Sequence, residues 1–289
     1  MKKSIALVLS SGGSKGLAHI GAINELEKQG FVISSIAGSS IGSVIGGLYA
    51  MGKLPEYTDW IKSLDQKSIW GLMDFTIATN GLIKGEKVFQ KMKTFIPDVL
   101  IENMSIPFAA VATDILNKKE VVFNSGSFYE VARASVAIPT IITPVKYRDT
   151  ILVDGGVLNP IPIDHIARSN DDILVVVNLY GENRDPVEIL INEDDTNSSP
   201  KTLNDFLNSI SSLINSGDRR SLGYFSLLTA TTSAMVDKLA KNAIEKYQPD
   251  IIINIPAGSS NTFDFHRAEE LIQLGEKEAK LAIAKSIWQ

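Results

Sequence analysis

The chain has 289 residues, of which 44% are hydrophobic and 21% are charged, and its mean hydropathy is +0.09. This composition is typical of a soluble globular protein and excludes a fibrous or disordered chain. The formal net charge is −5, and the acidic segment 181–200 accounts for all of it. We expect that segment to be a solvated, mobile surface loop. Because the rest of the chain has no basic stripe, we expect no nucleic-acid partner.

The chain has no cysteine, which excludes disulfides, a thiolate nucleophile and cysteine-based metal sites. The three histidines are not spaced as a ligand pair on one helix, so no metal is expected. The apolar run 5–9 is too short for the core of a secretion signal. The uncharged stretch 31–52 contains five glycines and five serines, which is too polar for a membrane span. We therefore expect a cytoplasmic location.

Apolar runs alternate with amphipathic stretches, a pattern typical of α/β proteins whose strands are covered on both faces. The predicted strands are residues 4–9, 32–37, 108–113, 121–123, 151–153, 173–178 and 250–255. The predicted helices are residues 17–29, 40–51, 128–136, 203–214, 221–246 and 265–287. Residues 55–100 predict helical and irregular structure. Because no internal repeat or linker divides the chain, we expect one domain over residues 1–289.

The residues Gly38-Ser39-Ser40-Ile41-Gly42 form a G-x-S-x-G motif between a predicted strand and a predicted helix. In this spacing, a sharp turn holds the central serine in a strained conformation with its hydroxyl exposed, and small residues on both sides let strand and helix approach. Ser40 is therefore a candidate nucleophile. The alternative is a helix start, rich in small residues, that serves packing alone.

A glycine-rich turn, Ser11-Gly12-Gly13-Ser14-Lys15-Gly16, follows the first predicted strand. A dinucleotide-binding loop would have glycine at the first of these positions and an acid about 20 residues later. Neither is present, since residues 29–54 contain no acid. The turn is better interpreted as a set of backbone N–H groups at a helix N-terminus. The N–H groups of Gly12, Gly13 and Ile41 would then bind a developing oxyanion.

A serine hydroxyl is a weak nucleophile and needs a base. The histidines are poor candidates: His19 is expected to pack or hydrogen-bond beside the glycine-rich turn, His165 follows Asp164 in a proline-rich turn, and His266 neighbours Arg267 in the last predicted helix. Asp154 is the better candidate, since it ends an apolar strand and precedes Gly155-Gly156, which permit the close approach that an active-site loop needs. The alternative for Asp154 and Gly155 is the turn of a β-hairpin.

Taken in order, the motifs at 11–16, 38–42 and 154–156 resemble the patatin-like phospholipase family, and most closely its bacterial members related to the patatin domain of neuropathy target esterase. The resemblance extends to residues 112–114 and 134–139 and to the end of the chain, from the last predicted strand onward, so it spans nearly the whole sequence. It implies a three-layer α/β/α fold with a mostly parallel central sheet.

By this resemblance, Ser40 is the nucleophile, Asp154 is its only side-chain partner, and Gly12, Gly13 and Ser14 belong to the oxyanion loop. One position departs from the family, which usually has glycine where this chain has Ser11. If that position requires a positive φ, a serine there costs about 1–2 kcal/mol and misaligns the oxyanion loop.

A Ser-Asp dyad favours esters over amides, because an ester has the better leaving group. The expected activity is that of a serine lipid acyl hydrolase, a phospholipase, lysophospholipase or carboxylesterase, without a metal or organic cofactor. Residues 69–75 are a candidate lid or lipid-facing patch that touches a membrane surface transiently, and core packing is the alternative. Two other functions stay open: acyl transfer to another alcohol, and a non-catalytic regulatory or binding module that retains the fold. The sequence leaves the oligomeric state open.

Overall fold

The computed structural model describes residues 3–76, 81–183 and 224–287. Its strands are β1 (Lys3–Leu9), β2 (Phe31–Ser39), β3 (Phe108–Asp114), β4 (Lys119–Phe123), β5 (Val145–Tyr147), β6 (Thr150–Asp154), β7 (Ile173–Gly181) and β8 (Ile251–Pro256). Its helices are α1 (Leu17–Lys28), α2 (Ile41–Ala50), α3 (Leu54–Lys62), α4 (Gln66–Leu72), α5 (Lys87–Lys93), α6 (Phe128–Ser135), α7 (Tyr224–Tyr247) and α8 (Ala268–Lys285).

The strands form one sheet in the order β5-β6-β3-β2-β1-β7-β8, and β4 pairs with β3. The central strands β3, β2, β1, β7 and β8 are parallel, whereas β4 and β6 run antiparallel to β3, and β5 runs antiparallel to β6. The predicted mostly parallel sheet is confirmed. Among the named strands, antiparallel pairing is confined to the pairs that involve β4, β5 and β6, and short turns join β3 to β4 and β5 to β6.

Side chains of β1 alternate between two hydrophobic cores. Ile5, Leu7 and Leu9 belong to the larger core, which they share with α1, α2 and α8. Val8 belongs to the smaller core, together with β7 side chains and Ala240 of α7. Helices therefore cover both faces of the sheet, which confirms the predicted three-layer α/β/α fold and explains why β1 is a continuous apolar run.

The strand register along β3 brings Ser40 and Asp154 together. β2 pairs with β3 as far as Ser39 opposite Val111, and β6 pairs with the next residue, Ala112, through Asp154. Because Val111 and Ala112 are consecutive, the ends of β2 and β6 meet. Ser40, which follows Ser39, thereby lies beside a carboxylate that is 114 positions away in the chain.

Several local predictions need correction. Strand β5 was not predicted, because its sequence, Val145-Lys146-Tyr147, is not an apolar run. The hairpin interpretation of Asp154 and Gly155 is wrong: the chain turns between β5 and β6 at residues 148–149, and a 3-10 helix (Gly155–Val157) follows β6. The last predicted helix begins with a 3-10 turn (Phe265–Arg267) before α8.

Other predictions fall on residues that are not described, namely the helix at 203–214 and nearly all of the acidic segment 181–200, of which residues 181–183 are described. No helix in the described ranges has both the length and the apolar character needed to cross a bilayer. The single-domain organisation and the cytoplasmic location stay predictions.

Candidate active site

Ser40 occupies a strained turn between β2 and α2, with φ 53° and ψ −124°. A positive φ costs a residue with a side chain about 1–2 kcal/mol, so close packing must hold it in place. A Cβ atom added to Gly42 would lie 2.2 Å from the Leu9 carbonyl oxygen, and one added to Gly38 would lie 2.4 Å from the Gly42 carbonyl oxygen. Strand, turn and helix therefore touch through their backbones, which requires the small residues of the motif.

Two neighbouring serines brace this turn. The Ser40 N–H donates to Ser135 Oγ at 3.0 Å, and the Ser135 hydroxyl donates to the Val111 carbonyl oxygen at 2.6 Å. The Ser43 hydroxyl donates to the Ser40 carbonyl oxygen at 2.6 Å. Ser135 was not predicted to act at this site, although it lies in the block 134–139 that resembles the family, and that block was the available signal.

The Ser40 hydroxyl donates a 2.6 Å hydrogen bond to Asp154 Oδ2. The Gly156 N–H donates to Asp154 Oδ1 at 2.7 Å, and the backbone N–H of Asp154 donates to the Ala137 carbonyl oxygen at 2.9 Å. Gly155 has no room for a side chain, since a Cβ would lie 2.2 Å from the Val111 carbonyl oxygen. These contacts fix the carboxylate against the hydroxyl.

Ser40 and Asp154 are both buried, with 4% and 6% of their surfaces exposed. Burial raises the pKa of the Asp154 carboxyl to about 6, although the hydrogen bonds from Ser40 and Gly156 act in the opposite direction. A carboxylate with a pKa near neutrality is a better base than a solvated aspartate and is still ionised at pH 7. The arrangement can therefore accept a proton from Ser40.

The glycine-rich turn supplies candidate oxyanion donors. Among the described residues, no acceptor is found for the N–H of Gly12 or Gly13. The N–H of Ile41 has no partner within α2, because the first N–H groups of a helix lack one. Gly16 packs against Ile41, since a Cβ at Gly16 would lie 2.3 Å from the Ile41 side chain. Gly13 and Ser40 line the same cavity, so the loop and the hydroxyl share one space.

Ser14 lies in the glycine-rich turn, but its polar groups are engaged by a neighbouring segment. Its N–H donates to the Thr262 carbonyl oxygen at 2.9 Å, and its hydroxyl donates to the Asn261 carbonyl oxygen at 2.6 Å. A Cβ at Gly13 would lie 2.9 Å from the same Thr262 oxygen. Ser14 thus ties the glycine-rich turn to residues 261–262 and has no free N–H for an oxyanion.

Ser11 is not among the described non-glycine residues with a positive φ, so the condition under which a serine there would be strained is not met. Its Oγ is hydrogen-bonded to the Tyr180 hydroxyl at 2.5 Å, and its N–H donates to the Pro160 carbonyl oxygen at 2.9 Å. A Cβ at Gly156 would lie 2.6 Å from Ser11 Oγ, so the hydroxyl lies against the turn that follows Asp154. A serine therefore fits where the family usually has glycine.

His19 is fully buried at the base of the glycine-rich turn, with Nε2 2.9 Å from the Ser10 carbonyl oxygen. Burial lowers its pKa to about 4, so the ring is neutral at pH 7 and Nε2 carries the donated proton. The predicted packing and hydrogen-bonding role is confirmed. His266 borders a small pocket beside Trp70 and makes no described contact with Ser40.

Within the described ranges, one group of side chains could hold a metal ion, and it consists of Glu120, Asp164 and His165. His165 Nε2 lies 2.7 Å from Glu120 Oε2 and 3.6 Å from Asp164 Oδ2. The Asn159 amide donates to both carboxylates, at 2.9 and 2.8 Å, so each already has a donor. None of these residues lines the cavity at Ser40.

An apolar cavity of about 160 Å³ adjoins Ser40. Its apolar walls come from α2 to α5 and two later segments and include Val44, Tyr57, Trp60, Ile61, Leu64, Ile69, Leu72, Met73, Ile83, Val88, Phe89, Met92, Val136, Ile138, Ile142, Phe263 and Phe265. Asp74 is the charged side chain in this lining, and its carboxylate accepts backbone N–H groups of Gly85 and Glu86 at 2.7 and 2.9 Å. The cavity therefore suits a hydrocarbon chain, which needs no polar partner.

A family model described as patatin-like phospholipase matches residues 7–167, which include Ser40, Asp154 and the glycine-rich turn. The chain belongs to the patatin-like phospholipase family. Membership supports a lipid hydrolase at the level of the family, and it agrees with the predicted resemblance.

Curated relatives agree with this assignment. An uncharacterised NTE family protein of Mycobacterium tuberculosis is 32% identical over 96% of this chain and 91% of its own length. Lysophospholipase NTE1 of Scheffersomyces stipitis is 25% identical over 94% of this chain and 17% of its own length. The solved structure of VipD from Legionella pneumophila has a TM-score of 0.49 at 14% identity, over 99% of this chain and 67% of that chain.

Proposed function

We propose that this protein is a serine hydrolase of lipid carboxylic esters, with Ser40 as nucleophile and Asp154 as its base. The observation that carries the proposal is the 2.6 Å hydrogen bond from Ser40 Oγ to Asp154 Oδ2 at the wall of an apolar cavity. Family membership adds support for lipid substrates.

In the first half-reaction, Ser40 Oγ attacks the acyl carbonyl carbon while Asp154 accepts the hydroxyl proton. The carbonyl oxygen gains negative charge, which the N–H groups of Gly12, Gly13 and Ile41 stabilise in a site removed from water. Collapse of the tetrahedral intermediate expels the alkoxide, which takes the proton from Asp154 and leaves an acyl-serine.

In the second half-reaction, water attacks the acyl-serine, Asp154 takes a proton from that water, and Ser40 regains its hydroxyl as the fatty acid departs. Both half-reactions need the ionised carboxylate first and the protonated acid later. A pKa of about 6 suits both roles near neutral pH, because neither form is strongly disfavoured.

The cavity suggests how the substrate lies. The acyl chain would occupy the apolar space between α2 and α5, and the ester group would lie at Ser40. Such a chain is supplied by a phospholipid, a lysophospholipid or a simpler fatty ester. A cytoplasmic location and transient contact with a lipid surface through residues 69–75 belong to the same proposal.

Labelling with a fluorophosphonate probe tests the nucleophile. The wild type should be labelled, Ser40→Ala should not, and Asp154→Asn should be labelled far more slowly. Ser39→Ala is the matched control, because Ser39 is the adjacent buried serine and its Oγ makes no hydrogen bond to the described residues. Labelling that persists in Ser40→Ala, or that disappears in Ser39→Ala alone, would contradict the proposal. Product analysis with an added alcohol separates hydrolysis from acyl transfer.

A further inference from the structure

The residues from α4 to the end of α5 form one wall of the cavity at Ser40, and we call residues 66–76 and 81–93 the cover. Ile69, Leu72 and Met73 line the cavity from the first part of the cover, and Ile83 and Val88 line it from the second. Ile69 is buried in this wall.

Two aromatic side chains of the cover do not line this cavity. Trp70 and Phe75 stack on each other, with ring centroids 6.0 Å apart and planes inclined by 20°. Phe75 is 40% exposed and Trp70 is half-buried. A partly exposed aromatic pair beside such a cavity is typical of an interaction surface.

Basic side chains lie beside this pair. The Lys87 ammonium donates to the Gly71 carbonyl oxygen, and the Lys84 N–H donates to the Asp74 carbonyl oxygen at 2.9 Å. Lys91 follows Lys87 by one turn of α5, and all three lysine side chains are exposed.

The local charge is opposite to that of the whole protein. Residues 66–93 contain five lysines and two acids, a net charge of +3, whereas the whole chain has −5. Of the two acids, Asp74 is held by backbone N–H groups at the start of α5. Among the described residues, Lys28, Lys53, Lys62 and Lys241 form ion pairs with carboxylates, but Lys84, Lys87 and Lys91 do not.

We propose that the outer face of the cover, formed by Trp70, Phe75, Lys84, Lys87 and Lys91, docks on a membrane surface that contains anionic lipid. Aromatic rings insert at the boundary between headgroups and acyl chains, while lysines face the anionic headgroups. The opposite side of the cover lines the cavity, so docking would let an acyl chain pass from the bilayer to Ser40 without crossing water. This inference rests on the proposed function for its purpose, but its test does not need activity.

Vesicle co-sedimentation with the Ser40→Ala protein tests the docking face while the lipid stays intact. Binding should be weak to phosphatidylcholine vesicles and stronger when phosphatidylglycerol is included, and added salt should diminish this preference. A lysine near an anionic leaflet contributes a factor of roughly five, so Lys84→Gln/Lys87→Gln/Lys91→Gln should lose on the order of a hundredfold at low salt. Trp70→Ser/Phe75→Ser should weaken binding to both vesicle types.

The β3–β4 turn provides a matched control, because it also exposes two apolar side chains, Ile115 and Leu116, followed by Lys118 and Lys119. The variants Ile115→Ser/Leu116→Ser and Lys118→Gln/Lys119→Gln should bind vesicles as the parent does. Equal losses in these controls, or no preference of the parent for phosphatidylglycerol, would overturn the proposal.

A second readout separates docking from catalysis. With Ser40 restored, Trp70→Ser/Phe75→Ser should reduce hydrolysis of vesicle lipid more than turnover of a soluble short-chain ester. Equal losses on both substrates would overturn the docking role, because the variant would then have disturbed the catalytic site itself. An inactive wild type that still binds anionic vesicles would overturn the proposed function and leave the docking face in place.

Discussion

The β3–β6 ladder carries a carboxylate at each end, and the two have opposite properties. Asp154 lies opposite Ala112, and Asp114 lies opposite Leu152, two residue pairs away. Burial is the main reason that the pKa of Asp154 is raised to about 6. Hydrogen bonds, chiefly the one from Thr150, lower the pKa of Asp114 to about 2.

The difference lies in the number of donors. Asp114 accepts hydrogen bonds from the Thr150 hydroxyl, from the Leu116 N–H, and from both the N–H and the side-chain amide of Asn117. Asp154 accepts one from Ser40 and one from Gly156. A carboxylate with many donors holds its charge and braces the β3–β4 turn, whereas one with few donors is available as a base.

The largest expected contrast is in catalysis. Asp154→Asn should lower kcat/KM by roughly 10³–10⁴-fold, because the amide cannot take the Ser40 proton. Asp114→Asn should leave kcat/KM within a few-fold of the wild type while lowering the unfolding midpoint. Steady-state kinetics on a soluble ester, together with thermal melts, check both expectations. A comparable loss of kcat/KM in the two variants would remove the functional distinction between the carboxylates.

Stability should depend on pH in opposite directions at the two sites. Folding raises the pKa of Asp154 from 3.8 to about 6, so ionisation of this carboxyl destabilises the folded protein. Its contribution to the free energy of unfolding therefore falls as pH rises from about 4 to 6. Two pKa units correspond to about 3 kcal/mol. Between pH 4 and 7, the free energy of unfolding of Asp154→Asn should therefore rise by up to that amount relative to that of the wild type.

At Asp114 the pKa is lowered, so its stabilising contribution is present above about pH 4 and is lost as pH falls towards 2. Asp114→Asn should therefore be less stable than wild type at neutral pH, and the difference should shrink in acid. Chemical denaturation across this range measures both variants. Parallel pH curves for the two would show that the environments do not differ as described.

The pH profile of catalysis gives a smaller contrast. The base must be ionised in the free enzyme, so kcat/KM should rise with pH through about 6 and then level off. One pH unit below that value the loss should be about tenfold. Asp114→Asn should keep the same profile. An acidic limb near pH 4 in the wild type would show that Asp154 is not the group that titrates.

The smallest expected effect concerns a positioning residue. Ser135→Ala removes the acceptor of the Ser40 N–H. The loss should lower the free energy of unfolding by about 1 kcal/mol and lower kcat several-fold. Ser127→Ala is the matched control, because Ser127 caps the other end of α6 and its loss should reduce stability by a similar amount. The control should leave kcat unchanged. If both variants lower kcat equally, the effect of Ser135 is one of stability alone.

Much of the fold was predictable, because its signals are local. The apolar run of β1, the glycine-rich turn and the G-x-S-x-G motif each specify their own strand, turn or helix start, and the structure has them where they were expected. Strand β5 was not predictable, since Val145-Lys146-Tyr147 is not an apolar run and its strand structure comes from pairing with β6. The brace from Ser135 to Ser40 joins residues 95 positions apart and likewise has no local signal.

The sequence by itself determined that the chain forms a layered α/β fold and that Ser40, Gly12 and Gly13 lie in tight turns, because backbone sterics act over a few residues. Only the tertiary structure decided that Asp154 is a buried carboxylate beside Ser40, that Ser14 has no free N–H, and that the cover has an apolar inner side and a basic outer one. The physical reason is that burial, pKa and hydrogen-bond partners depend on neighbours that strand register and helix packing bring together from distant parts of the chain.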